Sequence, residues 1–461
     1  MPNFFANLIF FSWPLVVLWL LFRYPTKKAI FVAIASAALI LPAAFGIDLP
    51  LLPPLDKNSI TGISLIIFLF LLRKKFQFFQ PSLFTKVLIA YFITIVVSNA
   101  LNTSAIITPV NYIQGLTYYD ALSDVIRFIL YTTPMFLGRY FSTDLNDTEV
   151  FFKSLVLMGL IYTLPMLYEV RMSPLLHYYI YGYSPSSFFQ QMRDDGFRPL
   201  VFVGHGLGLA FWLSICILAA VTLLKNKLRF TIASPKVIVG YLFVVLIFCK
   251  TWSALAYAII GFIAIYKLSP SKQVKWSFLI ASLIFIYPFL KTTQLIPEKD
   301  IISAIHSYSP DRAQSLEFRL QNENSLLARA LEKPFFGWGG WGRSAIYSVY
   351  DGKGLSVTDG AWIIQIGLYG WIGYLLYYSI LILPLYYAKK TFKYIEKPSD
   401  QVYFASLSVI LAICIVDSIP NTGMGPIHLF FAGALLGQAE FLKKQNQLLA
   451  NEKTKSKSKI Q

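Results

Sequence analysis

Four stretches of this chain hold residues whose types and spacing could do chemistry. SPDRAQSLEFRLQNENSLLARALEKPFFGWGGWGR, over 309–343, carries Arg312, Arg319, Glu323, Trp341 and Arg343. SVTDGAW follows it, with Asp359 next to Gly360. Earlier, QMRDDGFRPLVFVGHGLG brings Arg198 and His205 to the start of an apolar run, and KTWSALAYAIIG sets Lys250, Thr251 and Ser253 between two others. A guanidinium is a planar fork that binds phosphate through two parallel hydrogen bonds. Arginines from distant parts of a chain, meeting at one basin half in a membrane, would suit a lipid-linked diphosphate. They would also stabilise it as it departs, without a metal ion.

These residues need elements to position them. Ser309 fits a helix N-cap, Pro310 the first helical position and Asp311 the dipole, so a helix is expected from Pro310 until Pro334 forbids it. At about 100° per residue, Arg312, Arg319 and Glu323 share a narrow sector beside Leu316, Leu320, Leu327 and Leu331. Arg319 and Glu323 are equally a surface i,i+4 pair. FFGWGGWGR reads as a tight turn presenting tryptophan faces, which suit sugar rings, a polyprenyl chain or the headgroup layer. With Pro199 as the first helical residue, Arg198 sits at a rim and His205 two turns deeper on the same face. Gly204, Gly206 and Gly208 leave room there, for a polar cavity or for close helix packing. Lys250 either joins this side or snorkels, and Asp120, Asp124 and Arg127 share one face as self-compensating charges.

The scaffold is a membrane protein. Of 461 residues, 56% are hydrophobic and 14% charged, and the mean hydropathy is +0.59. Thirteen apolar stretches lie near 4–22, 29–46, 59–72, 84–101, 121–141, 150–169, 200–224, 236–249, 252–268, 276–292, 360–388, 401–419 and 425–442. Those at 59 and 236 fall short of the roughly 20 residues a bilayer asks for, so twelve to thirteen spans are expected. The first has no small-residue cleavage signature and reads as a retained anchor. The formal charge of +17 is carried largely by alternate short loops and by a lysine-rich tail, which marks them as cytoplasmic and needs no nucleic acid. Cys216, Cys249 and Cys414 lie in apolar runs and form neither a disulfide framework nor metal spacing. GxGxxG, P-loop, HExxH and GxSxG motifs have no credible setting, which removes the simplest signatures of ATP-driven transport and metallohydrolases. The expected division is 1–199 N-terminal helices with a first larger external loop, 200–292 central helices, 293–359 a long extracytoplasmic catalytic loop, 360–442 C-terminal helices and 443–461 a basic tail.

From about Arg193 to Gly373 the chain resembles the O-antigen ligase and O-antigen polymerase superfamily, bacterial membrane glycosyltransferases acting on undecaprenyl-diphosphate glycans. FRPLVFVGHGLG, KTWSALAYAIIG, EFRLQNENSLLARALEKPFFGWGGWGR and TDGAWIIQIGLYGWIG carry the likeness in that order. The resemblance implies an all-α polytopic fold of the glycosyltransferase C-like type with one long, partly helical extracytoplasmic loop. It also implies an active site on the periplasmic side of a bacterial inner membrane. Arg198 and Arg319 match the arginines that hold the diphosphate. Family ligases carry His-Asn eleven residues before the glycine matching Gly370, and here Asp359 and Gly360 stand there. That departure favours a polymerase of exopolysaccharide, capsule or O-antigen repeats over a ligase to lipid A core or protein; a transporter of lipid-linked glycan is the alternative from another class. Asp359 is then the expected general base, with Glu323 or His205 as rivals, and anomeric inversion is expected. An exposed aspartate is a weak base, so Asp359 must be desolvated or merely orient the nucleophile. His205, Lys250, Arg312, Trp341 and Arg343 are the candidate substrate contacts. The implied partners are lipid-linked donor and acceptor glycans, the bilayer and a chain-length regulator, with no cofactor, metal or nucleic acid.

Overall fold

A chain this apolar can satisfy its backbone N–H and C=O groups away from water only within each segment, which selects helices. The computed structural model describes residues 2–48, 53–193, 196–228 and 233–458, and the fold is about 71% helical, with few strands. The helices are α1 (Phe4–Arg23), α2 (Thr26–Ile40), α3 (Lys57–Leu71), α4 (Leu83–Ala100), α5 (Tyr118–Phe141), α6 (Asp147–Met172), α7 (Leu176–Tyr181), α8 (Gly206–Lys225), α9 (Pro235–Phe248) and α10 (Trp252–Lys267). They continue with α11 (Pro270–Ser282), α12 (Tyr287–Thr292), α13 (Glu298–His306), α14 (Pro310–Leu331), α15 (Ala361–Thr391), α16 (Pro398–Asp417) and α17 (Pro426–Ser458). Among the described residues the strands form short antiparallel hairpins, such as Met192–Arg193 with Gly196–Phe197.

Among the described residues, α1, α4, α6, α8, α16 and the helical stretch beginning with α15 are long and apolar enough to cross a membrane. Helix α1 is apolar on both sides: Phe10, Trp13 and Val17 are buried, while Phe11, Leu15, Trp19 and Phe22 face outward. An outer face of that kind has no place in water, and the chain is a membrane-embedded all-α protein. Helix α8 is the central one, with 83% of its apolar window buried, and it packs against α6, α9, α10 and α16. Helix α17 lies along α5 through Gly433 and Gly437, where a Cβ would come within 1.9 Å of the Met135 carbonyl oxygen and 2.1 Å of the Arg139 carbonyl oxygen. Small residues at that spacing let the two backbones touch.

The basic loops converge at one end of the bundle. Lys27 pairs with Asp147 at 2.8 Å, Arg139 clasps Glu440 with two donors at 2.8 Å, and Lys225 Nζ donates to the Ile265 and Leu268 carbonyls. Helix α14 and the N-termini of α8, α10 and α15 lie at the other end.

Three elements depart from the periodicity. The stretch at 276–292 is not one helix: α11 ends at Ser282, a 3₁₀ turn spans Leu283–Phe285, and α12 carries Pro288 near its start. Helix α8 starts seven residues later than Pro199 would have it. Helix α15 is broken at Gly370, whose φ of +66° is non-helical.

Candidate functional site

Helix α14 has the boundaries its sequence asks for. Ser309 is extended at φ −158°, Pro310 opens the helix and Leu331 closes it ahead of Pro334. Its side chain Arg319 places Nε 3.5 Å from Asp359 Oδ2 and donates from Nη1 to the Pro420 carbonyl at 3.3 Å. The turn between α16 and α17 fixes Asp359 in that position: the Ala361 N–H donates to the carbonyls of Ser418 (3.0 Å) and Asn421 (2.8 Å). A Cβ on Gly360 would lie 2.3 Å from the Ile419 carbonyl oxygen. Just before that turn, at the last residue of α16, the buried Asp417 accepts from Asn421 Nδ2 at 2.8 Å. Tyr257 of α10 and Arg319 act on the same carboxylate.

Arg198 reaches the basin from an irregular segment. Glu169, fully buried near the end of α6, accepts from the Leu200 and Val201 N–H groups at 2.8 and 2.7 Å and from Leu176 N–H at 3.0 Å. Val201 is held at φ +49°. Two amides tied to a carboxylate from another helix cannot start α8 at Pro199, so the helix begins at Gly206 with His205 as its N-cap, Nδ1 accepting from Leu207 N–H at 3.1 Å. His205 is therefore at the helix mouth beside Arg198, not two turns deeper. The Arg198 side chain is only 5% exposed. Its Nη2 makes one long contact to the Lys250 carbonyl at 3.5 Å, and its Nε–H has no partner among the described residues. Burial, then the charges of Arg193, Arg312 and Arg319, push the Arg198 guanidinium down to about 10. Burial, then Arg198, Arg319 and Arg193, push His205 down to about 4. The four arginines and the imidazole thus share one field. Lys250 donates to the Arg193 carbonyl at 3.0 Å, and Arg312 stands over the Trp252 ring at 5.1 Å.

The other expected site residues have different surroundings. Glu323 shares the helix face of Arg319, but its carboxylate accepts from Tyr287 at 3.2 Å and Trp362 at 3.3 Å and pairs with Lys291 at 3.4 Å. Burial pushes Glu323 up, against the opposing Lys291 charge, and it acts as a packing anchor between α12, α14 and α15. Trp341 donates its indole N–H to Asp120 Oδ1 at 2.7 Å at the head of α5. Arg343 is 1% exposed and donates to the carbonyls of Gln114 (2.7 Å) and Ser104 (2.9 Å), stapling the loop before α5. The tryptophan-glycine turn docks into the broken α15: Trp338 and Gly339 donate to the Gly367 and Leu368 carbonyls, and Trp371 donates to Pro334. A Cβ on Gly370 would lie 2.3 Å from the Phe335 carbonyl, so the turn and the glycine require each other.

Sequence reasoning gave no role to Glu169, Gln191 or the carbonyl of Pro420. Glu169 was detectable as an acid closing an otherwise apolar run; the others had no signal. An open cavity of about 820 Å³ lies at the lysine-rich end beside Lys225, Lys227 and Lys236, away from the basin. What the fold and site define is a helical membrane protein with an arginine basin at one end. No protein-family model matches the chain, and no curated protein matches it.

Proposed function

We propose that the chain polymerises undecaprenyl-diphosphate-linked oligosaccharide repeats at the outer face of a bacterial inner membrane. The observation that carries the reading is Arg198, a buried guanidinium with an N–H unpartnered among the described residues, in one field with Arg319 from a distant segment. A diphosphate would take up those donors. In the proposed step, a hydroxyl oxygen of the acceptor repeat attacks the anomeric carbon of the donor glycan. The bond from that carbon to the diphosphate oxygen breaks, and the lipid diphosphate leaves with the electron pair. Arg198 and Arg319 stabilise its charge, and Asp359, partly open to solvent and paired with Arg319, orients the hydroxyl, whose proton passes to bulk water. Inversion follows from attack opposite the leaving group.

In this reading the lysine-rich end is cytoplasmic. The N-terminus supports thirteen crossings over twelve: the Asn3 N–H donates to Tyr181 on the basin side, while α17 leaves by the lysine-rich end, where Glu440 meets Arg139. Termini on opposite sides require an odd number.

The test uses purified protein with lipid-linked repeats. Arg198→Ala and Arg319→Ala should each lower turnover by about 10²–10³ with the fold retained, the loss expected for one preorganised donor to a developing anion. Full polymerisation by both variants would remove the diphosphate site. Single repeats in a deletion strain mark a polymerase; accumulated long lipid-linked chains mark a ligase.

A further inference from the structure

We infer that the mouth of α8 is a seat for one phosphate group, formed by the Gly206 and Gly208 amides, the Nε2–H of His205 and the guanidinium of Arg198, while Arg319 faces the second phosphate. This rests on the reading of the basin as a diphosphate site.

Helix α8 runs for twenty residues, and its first turn leaves amides pointing outward. The Leu207 N–H is taken by His205 Nδ1 and the Leu209 N–H by the His205 carbonyl. Those of Gly206 and Gly208 have no partner among the described residues. A helix mouth alone would be unremarkable, but a second observation points to an anion. The Arg198 Nε–H, a donor, is buried without a partner among the described residues, and the Arg198 stem lies against Gly206. A Cβ there would lie 2.6 Å from Arg198 Cγ and Cδ and 2.7 Å from Gln191 Oε1. The Gln191 carbonyl accepts from the Arg198 N–H at 2.7 Å, which ties the two residues together. The glycine is thus what lets the guanidinium stem lie across the helix mouth.

His205 has a defined part. Its Nδ1 accepts an amide hydrogen, so the ring proton sits on Nε2 and the residue is a donor, not a base. Protonating Nδ1 would break the cap in a field already set by Arg198, Arg319 and Arg193.

The experiment is calorimetry on the full chain in phosphatidylcholine nanodiscs, titrated with inorganic pyrophosphate and separately with farnesyl diphosphate. Wild type should bind both, farnesyl diphosphate more tightly. Gly206→Ala should weaken both at least tenfold while keeping the fold, since alanine is the better helix residue. The ratio of wild-type to His205→Gln affinity should stay constant from pH 5.5 to 8. Unchanged binding by Gly206→Ala, or no diphosphate binding by wild type, overturns the seat. A ratio that climbs below pH 6.5 overturns the neutral donor. Equal affinity for the two probes supports the seat but sinks the lipid-linked substrate, and diphosphate binding without polymer formation sinks the polymerase while the seat stands.

Discussion

Glu169 sets the position of Arg198 without touching it, and removing its carboxylate tests that directly. Glu169→Ala leaves three amides, the buried ones of Leu200 and Val201 and the part-buried one of Leu176, without an acceptor. An orphaned buried donor costs about 1–3 kcal/mol, so with partial rescue by water the loss is about 3–6 kcal/mol. Glu169→Gln keeps one oxygen: if it serves Leu200 and Val201, only Leu176 meets an NH₂ group, and the loss is about 1–3 kcal/mol. The order Ala worse than Gln, read by denaturant unfolding in detergent, should be matched by farnesyl diphosphate affinity, since slack in 198–204 moves Arg198. A Glu169→Ala protein within about 0.5 kcal/mol of wild type would show that the carboxylate does not hold the segment. Equal losses for the two variants would show that the pattern of accepted hydrogen bonds does not set the cost.

Other expectations are shorter. Gly370→Ala forces a side chain into φ +66° and onto the Phe335 carbonyl, costing about 2–4 kcal/mol of stability and releasing the tryptophan-glycine turn, measurable by proteolysis near 335–343. Arg343→Lys replaces a planar fork that reaches two carbonyls at once with a single ammonium that cannot match both directions, and should lose about 1–3 kcal/mol with diphosphate affinity unchanged. His205 has a folded value depressed from 6.5 to about 4, so the folded state binds fewer protons there than the unfolded state. Its contribution, on the order of 3 kcal/mol at most, is complete above pH 6.5 and lost as pH falls towards 4. The melting temperature of wild type should therefore drop more between pH 7.5 and 4.5 than that of His205→Asn.

What could be read from the sequence was what is decided locally. The start of α14 follows from Ser309 and Pro310, whose preferences act within one turn, and the gathering of basic loops follows from charges in short connections. The start of α8 was misread because its fate is set by Glu169, some thirty residues upstream. Arg343 looked like an anion ligand because nothing nearby shows that its donors belong to carbonyls more than two hundred residues earlier in the chain. Gly370 was visible as half of a Gly-x-x-Gly block, yet the break it makes exists only because Phe335 occupies the space. Arg319 and Glu323 share a helix face as periodicity requires; which of them faces Asp359 and which is locked by Lys291, Tyr287 and Trp362 depends on α12 and α15.

The energetics of Arg198 bear on function most directly. Among the described residues its guanidinium has one contact at 3.5 Å, an unpartnered Nε–H and three arginines in its field, which together destabilise the unliganded fold. A buried charge without good partners is retained against stability, and an apolar residue of similar length would remove the desolvation cost while keeping the packing against Gly206. Arg198→Met should therefore unfold later than wild type, by about 1–3 kcal/mol, while losing pyrophosphate and farnesyl diphosphate binding. Adding diphosphate should reverse the order, because only wild type gains from the ligand. If Arg198→Met is instead less stable than unliganded wild type, the arginine is a structural staple like Arg343, and the unpaired guanidinium gives no reason to place an anion at the mouth of α8.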